Sequence, residues 1–410
     1  MTHSQNPGNS SIKVANAERV YSLDALRAVM MLLGLVIHAA ITYTKIDYGS
    51  AWTLKDPNNN RIFDVIIGFI HAFRMPVFFV ASGYFGALLF YKKGPKAMLV
   101  NRIKRILLPF LVGVLTIYPL IIFSFVYSGA AFAGSASPAA AAWQLLLSGE
   151  WLPFSLAHLW FLYFLAMFSV LGWLIAMVFK KSSSFTIAFN QFFTKLFKHF
   201  WLRIIAMMAL YFACLYWMGS SGIKTNNKWA VDPATFAIYF LFFGAGWMVF
   251  TTKTLPHLSK YPIWQLGMAT VLFLIGNLSP WPEASWVLMA KQLFTAVYGT
   301  LFIYGFIALF NTRFSHYSRW LNYQMEAAYW VYLIHLPIVA FIPGLMAGVD
   351  LPPVVKFLIT FSGTAIICML SYKYLVRGSF IGMFLNGKVY KSKRPQDRIH
   401  DESQATLVSS

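Results

Sequence analysis

Charge is what this 410-residue chain has least of. Asp, Glu, Lys and Arg make up only 11% of its residues against 59% hydrophobic ones, and the mean hydropathy is +0.61. A soluble domain carries roughly a quarter charged residues and has no core able to hide this much apolar surface. A soluble fold is therefore excluded, and the excess must face lipid. Cysteine is nearly absent: Cys214 and Cys368 both lie in apolar runs, which argues against a disulfide framework and leaves the compartment open. The sequence has no Walker loop, no glycine-rich dinucleotide fingerprint and no Cys/His cluster at metal spacing, so nucleotide hydrolysis and structural zinc are poor candidates. The first 20 residues are polar, and the first apolar run reads as a full-length span retained in the protein rather than as a secretory signal.

Acidic residues are scarce too, at 13 against 33 Lys and Arg, giving a net charge of +20. On a chain this apolar, such a balance points to anionic lipid and orienting loop charges, not to nucleic acid. Apolar runs near 23–45, 68–91, 106–128, 156–179, 201–219, 234–252, 262–279, 286–310, 326–346 and 354–376 have spanning length. The expected fold is an all-α polytopic membrane helix bundle of about ten transmembrane helices. The segments on one side of these spans hold 25 of the 33 basic residues, including Lys92 to Arg105, Lys180 to Arg203 and the seven from Lys373 to Arg398. The other side holds 8, and its Ala/Ser-rich loop 129–155 holds none. By the positive-inside rule both termini are expected in the cytoplasm, with the chain in a cell inner membrane. The expected organisation is a cytoplasmic tail at 1–20, a transmembrane domain at 21–380, and a polar, disordered cytoplasmic tail at 381–410. No internal repeat of the transporter kind is evident.

Ionisable side chains at membrane depth cost several kcal/mol unless paired or hydrated, so each is a functional candidate. The first span places Asp24 and Arg27 three residues apart, which allows an ion pair on one helix face. His38 follows Arg27 by eleven residues, which returns it to nearly the same face about 16 Å further along. Arg27 is thus expected at the cytoplasmic boundary, where it could equally snorkel, and His38 toward the mid-plane, facing the same groove. The second span carries His71 and Arg74, three apart and expected on one face at the outer boundary, with Pro76 and Ser82-Gly83 permitting distortion and close helix approach. Arg102, Lys104 and Arg105 crowd the cytoplasmic mouth of the third span. That cluster suits either an orienting, lipid-contacting role or the phosphates of a donor arriving from the cytoplasm. Trp160 and Tyr163 at the outer end of the fourth span fit an aromatic belt, and with His158 equally fit a sugar platform. In the ninth span Ala328, Tyr332 and His335 share a face, and Glu326 is placed to pair with a basic group at the inner mouth.

These residues resemble the acyltransferase 3 family of integral membrane acyltransferases. Leu23-Asp24-x-x-Arg27 with His38 matches the family's opening helix. Phe78-Phe79-Val80-x-Ser82-Gly83 followed by Arg102-x-x-Arg105-x-x-x-Pro109 matches its second feature. Tyr329-x-x-Tyr332-Leu333-x-His335 is similar to its late helix, with Ala328 standing where the family has Ser. The stretches His71-Ala72-Phe73-Arg74-Met75-Pro76 and His158-Leu159-Trp160 look closer to the glucan biosynthesis protein C branch, whose members succinylate periplasmic glucans. The resemblance spans residues 20–340. It implies an acyl-CoA co-substrate (acetyl- or succinyl-CoA) on the cytoplasmic side, no permanently bound cofactor, and a periplasmic or envelope glycan acceptor outside. It implies catalysis by His38 with Arg27 and Asp24, and donor binding by Arg102, Lys104, Arg105, Glu326, Tyr332 and His335. Acceptor binding would fall to His71, Arg74, His158 and Trp160. Within that scheme His38 acts either as general base or as an acylated carrier. A proton-coupled secondary transporter relaying protons through His38, Asp24 and His335 also fits the buried histidines, though it does not require the basic mouth.

Overall fold

The computed structural model describes residues 20–387 other than 152–154, 182 and 317, and among them there is no strand. Tyr21–Ile41 forms α1. After a folded loop come α2 (Arg61–His71) and α3 (Arg74–Lys93), then α4 (Pro95–Arg102), which passes through a π-helical turn at Ile103–Leu107 into α5 (Leu108–Phe132). The remaining helices are α6 (Pro138–Ser148), α7 (Trp160–Lys181), α8 (Ser183–Lys198), α9 (Phe200–Met218), α10 (Pro233–Thr251), α11 (Pro262–Leu278), α12 (Val287–Arg313), α13 (Arg319–Leu345), α14 (Pro353–Ser371) and α15 (Phe380–Asn386).

Nine helical stretches among the described residues are long and apolar enough to cross a membrane, and α11, at 17 residues, is a shorter apolar helix at the position of the tenth expected span. The protein is an all-α polytopic bundle. Large apolar side chains such as Leu115, Val178, Ile263 and Leu358 are exposed, as the surplus of apolar residues requires of a lipid-facing surface.

Three local expectations are revised. The second span begins earlier, at Arg61, and its 33 residues are broken at Ala72 and Phe73. Pro76 has no N–H to give the Ala72 carbonyl, so an unbroken helix would leave that acceptor unpaired. The third span is part of one helical stretch from Pro95 to Phe132. The start of the tail expected to be disordered from 381 instead forms α15, whose terminal carbonyls at Met383 and Phe384 accept hydrogen bonds from Arg105. The remainder of that tail, and residues 1–19, lie outside the described residues.

Glycine sets the tightest packing. A Cβ on Gly83 of α3 would collide with the Phe243 carbonyl of α10, and one on Gly246 of α10 would collide with the Val80 carbonyl of α3. The two backbones therefore touch directly, the arrangement small residues permit between membrane helices. α1 packs against α2, α3, α12, α13 and α14, so its side chains lie inside the bundle.

The loop after α1 turns back over the end of that helix. Asp56 and Asn60 donate backbone N–H groups to the carbonyls of Thr42 and Tyr43, each at 2.9 Å. A buried ion pair of 2.8 Å joins Asp56 to Lys356 of α14, and Tyr43 bonds Thr360 of the same helix at 2.8 Å. Trp52 at the crest of this loop is buried, and its indole N–H donates to Thr42 Oγ1 at 3.0 Å.

Candidate active site

One stripe of α1 organises the site. Arg27, Met31, Gly34 and His38 recur at spacings of four, three and four, which keeps them on one helix face. At the Arg27 end, Arg27 Nη2 donates to Asp24 at 3.1 Å, the same-face pair the spacing implied, and its guanidinium lies 5.0 Å from the Phe85 ring. Both residues line a vestibule of about 430 Å³ together with Arg102, Arg105, Ser82, Ala328 and Tyr329. Arg102 Nε and Nη2 are buried there without a hydrogen-bond partner. A buried guanidinium edge without a partner, beside a second arginine, is chemically suited to an anion.

At the other end, in the last turn of α1, His38 lines a much smaller cavity of about 40 Å³ with Arg74, His158, Trp160, Tyr332 and His335. Met31, Phe78 and Phe161 line both spaces and form the partition between them. A cavity this small holds a few waters and no sugar or thioester, so a reactant coming from the vestibule reaches His38 only when that partition moves. Met31 is flexible enough for such a role.

The hydrogen bonds fix the histidine tautomers. His335 Nδ1 lies 2.7 Å from the Tyr332 carbonyl and 3.0 Å from that of Val331. Carbonyls only accept, so this nitrogen carries the proton and Nε2 carries the lone pair. His38 Nδ1 is 2.8 Å from His335 Nε2 and must therefore donate to it. The free lone pair of His38 is left on Nε2. The two imidazoles are parallel, with centroids 5.0 Å apart, and Trp52 lies against His38 at 5.8 Å. His158 Nε2 donates to the Leu333 carbonyl at 3.1 Å, leaving its Nδ1 buried with no partner. That carbonyl is available because its helical donor would be the nitrogen of Pro337, which has no hydrogen. Tyr332 in turn donates to the His158 carbonyl at 2.8 Å.

Arg74 reaches the cavity over Gly34: any Cβ there would collide with Arg74 Nη1. Arg74 Nε has no partner, and Nη2 meets only the Met75 sulfur at 3.5 Å.

The candidate residues fall into distinct places. His38, Arg74, His158, Trp160, Tyr332 and His335 gather in one cavity, and Asp24, Arg27, Arg102 and Arg105 gather in the vestibule. Tyr332 and His335, expected among the donor-binding residues, face the histidine cavity instead, one turn beyond Ala328. Lys104 is exposed and lines neither space. Arg105 lines the vestibule, but its guanidinium caps α15, while its carbonyl, which faces the hydrogen-less nitrogen of Pro109, accepts from Tyr329 at 2.8 Å. Glu326 is buried against Asn322 and lies 3.9 Å from Arg377. His71 does not share a face with Arg74. It lies across the break and lines a separate polar cavity of about 410 Å³ with Asn277, Lys291, Thr295 and Tyr298. His38 lies in the last turn of α1. Trp160 is buried within the bundle, not part of an aromatic belt.

Sequence reasoning missed Trp52, Gly34 and the partition. Trp52 lies in a loop and carries no periodic signal. Gly34 was legible as a small residue one turn before His38, but only the partner helix reveals what it admits. Pro337 directly after His335-Leu336 was the overlooked clue that a carbonyl one turn back would be free for a side chain.

Residues 20–373 match the model of a family described as an acyltransferase domain, so the chain belongs to that acyltransferase family. It is an enzyme, an acyltransferase built into a multi-pass membrane bundle. Among curated proteins it is similar to the glucans biosynthesis protein C of Escherichia coli strains SMS-3-5 and K12, each 26% identical over 341 residues covering 79% of this chain and 83% of the relative. No solved structure matches it.

Proposed function

We propose that this protein moves an acetyl or succinyl group from acyl-CoA in the cytoplasm to a hydroxyl of a periplasmic or other envelope glycan, across the inner membrane, with both termini cytoplasmic. The observation that carries this reading is the His38–His335 pair in a cavity separated only by Met31, Phe78 and Phe161 from a vestibule bearing the open edge of Arg102. The distribution of basic residues favours the cytoplasm for the vestibule side, and phosphates of CoA suit Arg27 and Arg102. The name of the E. coli relatives supports a glucan as acceptor.

His38 Nε2 serves two routes. As a base it takes the proton of the sugar hydroxyl while the oxygen attacks the thioester carbonyl, the C–S bond breaks, and the imidazolium returns the proton to the CoA thiolate. As a nucleophile the same nitrogen takes the acyl group and releases the thiolate; the sugar oxygen then takes the acyl group, and its proton passes to the freed Nε2 and from there to the CoA thiolate. In both, the bond from His38 Nδ1 to His335 persists and stabilises the charged ring. Arg74, with its free Nε, is placed to stabilise the tetrahedral oxyanion or to pair with a succinyl carboxylate. His158 and Trp160 would position the acceptor sugar, and His71 would contact more distant parts of the glycan in its own polar cavity.

The test is transfer of radiolabelled acyl groups from acyl-CoA to glycan by purified protein in liposomes. His38→Ala is expected to abolish labelling. Equal labelling by the variant and wild type would remove His38 from the chemistry, and acid-quenched mass spectrometry of His38 separates the two routes.

A further inference from the structure

A third large space, sharing no lining residue with the histidine cavity, opens between α7, α8, α9 and α10. It has a volume of about 390 Å³ and is walled mainly by apolar side chains, among them Phe179, Phe189, Met207, Phe240 and Met248. One cation lines it. Arg203, in the first turn of α9, is 1% exposed. Its Nη1 donates to the carbonyls of Phe197 and His257 at 3.0 and 2.8 Å. The guanidinium lies 5.1 Å from the Phe200 ring and 5.5 Å from that of Tyr304. Nε and Nη2 are buried with no partner, and none of the ion pairs among the described residues involves this arginine.

A buried guanidinium in an apolar wall is costly unless something answers its charge and its free hydrogens. Nε–H and Nη2–H form one edge of the guanidinium and point the same way, which matches two oxygens of a phosphate. The helix bordering the groove supplies the setting. α8 carries exposed Phe185, Ile187 and Phe192 with exposed Lys195 and Lys198, the composition of a helix lying in the headgroup region of a bilayer.

We propose that this groove binds one anionic phospholipid, with a fatty acyl chain between α7, α8 and α10 and the phosphate accepting hydrogen bonds from Arg203 Nε and Nη2. Among the described residues no Asp or Glu lines the groove, so an ammonium headgroup would find no carboxylate among them. That favours phosphatidylglycerol over phosphatidylethanolamine.

Native mass spectrometry of the full chain, delipidated and then offered phosphatidylglycerol, phosphatidylethanolamine or diacylglycerol, tests the proposal. The wild type is expected to retain one phosphatidylglycerol in preference to the other two. Arg203→Gln is expected to lose that preference, but it also removes the donor to Phe197 and His257 and could unfold the cytosolic end of α9. Gly244→Leu provides the independent arm: Gly244 lines the groove, and a Cβ there meets nothing within 4 Å, so the added side chain starts from open space and extends into the acyl channel. It should weaken phosphatidylglycerol retention about tenfold or more, since each displaced methylene forfeits hydrophobic burial. Equal retention by Gly244→Leu and wild type would overturn the proposal, as would wild-type retention that does not distinguish the three lipids.

Discussion

Replacing His335 tests the chemistry at its most specific point. His335 is locked by its Nδ1–H bond to the Tyr332 carbonyl, and through Nε2 it holds the proton of His38 on Nδ1. His335→Leu leaves that Nδ1–H without an acceptor inside the bundle, where an unmet hydrogen bond costs about 1–3 kcal/mol. The ring can escape the penalty by moving its proton to Nε2, which removes the lone pair that the proposed chemistry uses. Converted at about 1.4 kcal/mol per tenfold, the loss is about 5- to 140-fold in the rate of acyl transfer. The loss should fall on kcat and leave KM for acyl-CoA nearly unchanged, because His335 does not line the arginine vestibule. A paired comparison separates this from a packing defect. The amide oxygen of His335→Gln reaches the position of Nε2 and should keep the rate within a few-fold of wild type. The shorter His335→Asn still donates to the Tyr332 carbonyl but stops short of His38, and should behave like Leu. Nitrogen-15 spectra of labelled histidine would report the His38 tautomer directly. Leu and Asn variants that fold and transfer at the wild-type rate, or a Gln variant as slow as Asn, would refute the argument.

Further outcomes follow from the same geometry. Gly34→Ala should push the Arg74 guanidinium out of the histidine cavity while costing under about 1 kcal/mol of stability, since only the far end of a flexible side chain must move; thermal unfolding and transfer rates, measured together, check it. Arg102→Gln should raise KM for acyl-CoA about 10- to 100-fold, the worth of a charge-assisted hydrogen bond, whereas Lys104→Gln should leave it unchanged because that side chain points away from the vestibule. Lys356→Met strands the buried Asp56 carboxylate and should destabilise by about 3–5 kcal/mol, with the double substitution Asp56→Leu/Lys356→Met recovering most of that loss in a denaturation measurement.

Much of the architecture was legible in the sequence. Apolar runs place every spanning helix because lipid demands about twenty apolar residues per crossing, and this demand acts locally along the chain. The break between α2 and α3 was foreshadowed by Pro76, although the helix before it was not. α15 was missed for a different reason: seven residues carry too weak a pattern, and the helix is held by its Ser379 N-cap, by Arg105 and Gly387 at its last carbonyls, and by Asn386 on the Glu326 carbonyl.

For the site, the sequence by itself determined the stripe from Arg27 to His38 and its pairing with Asp24, because a helix converts spacing into a face. It also placed Tyr332 and His335 together for the same reason. Only the tertiary structure decided that His335 accepts from His38 and does not line the vestibule, that Arg102 keeps an open edge while Arg105 is spent on α15, and that His71 and Arg74 part company at the helix break. Each of these depends on which helices become neighbours and how closely they approach. Periodicity specifies a face for each helix, but a hydrogen bond between faces is settled only by packing, where glycines such as Gly34 and proline-freed carbonyls such as that of Leu333 determine which groups can meet.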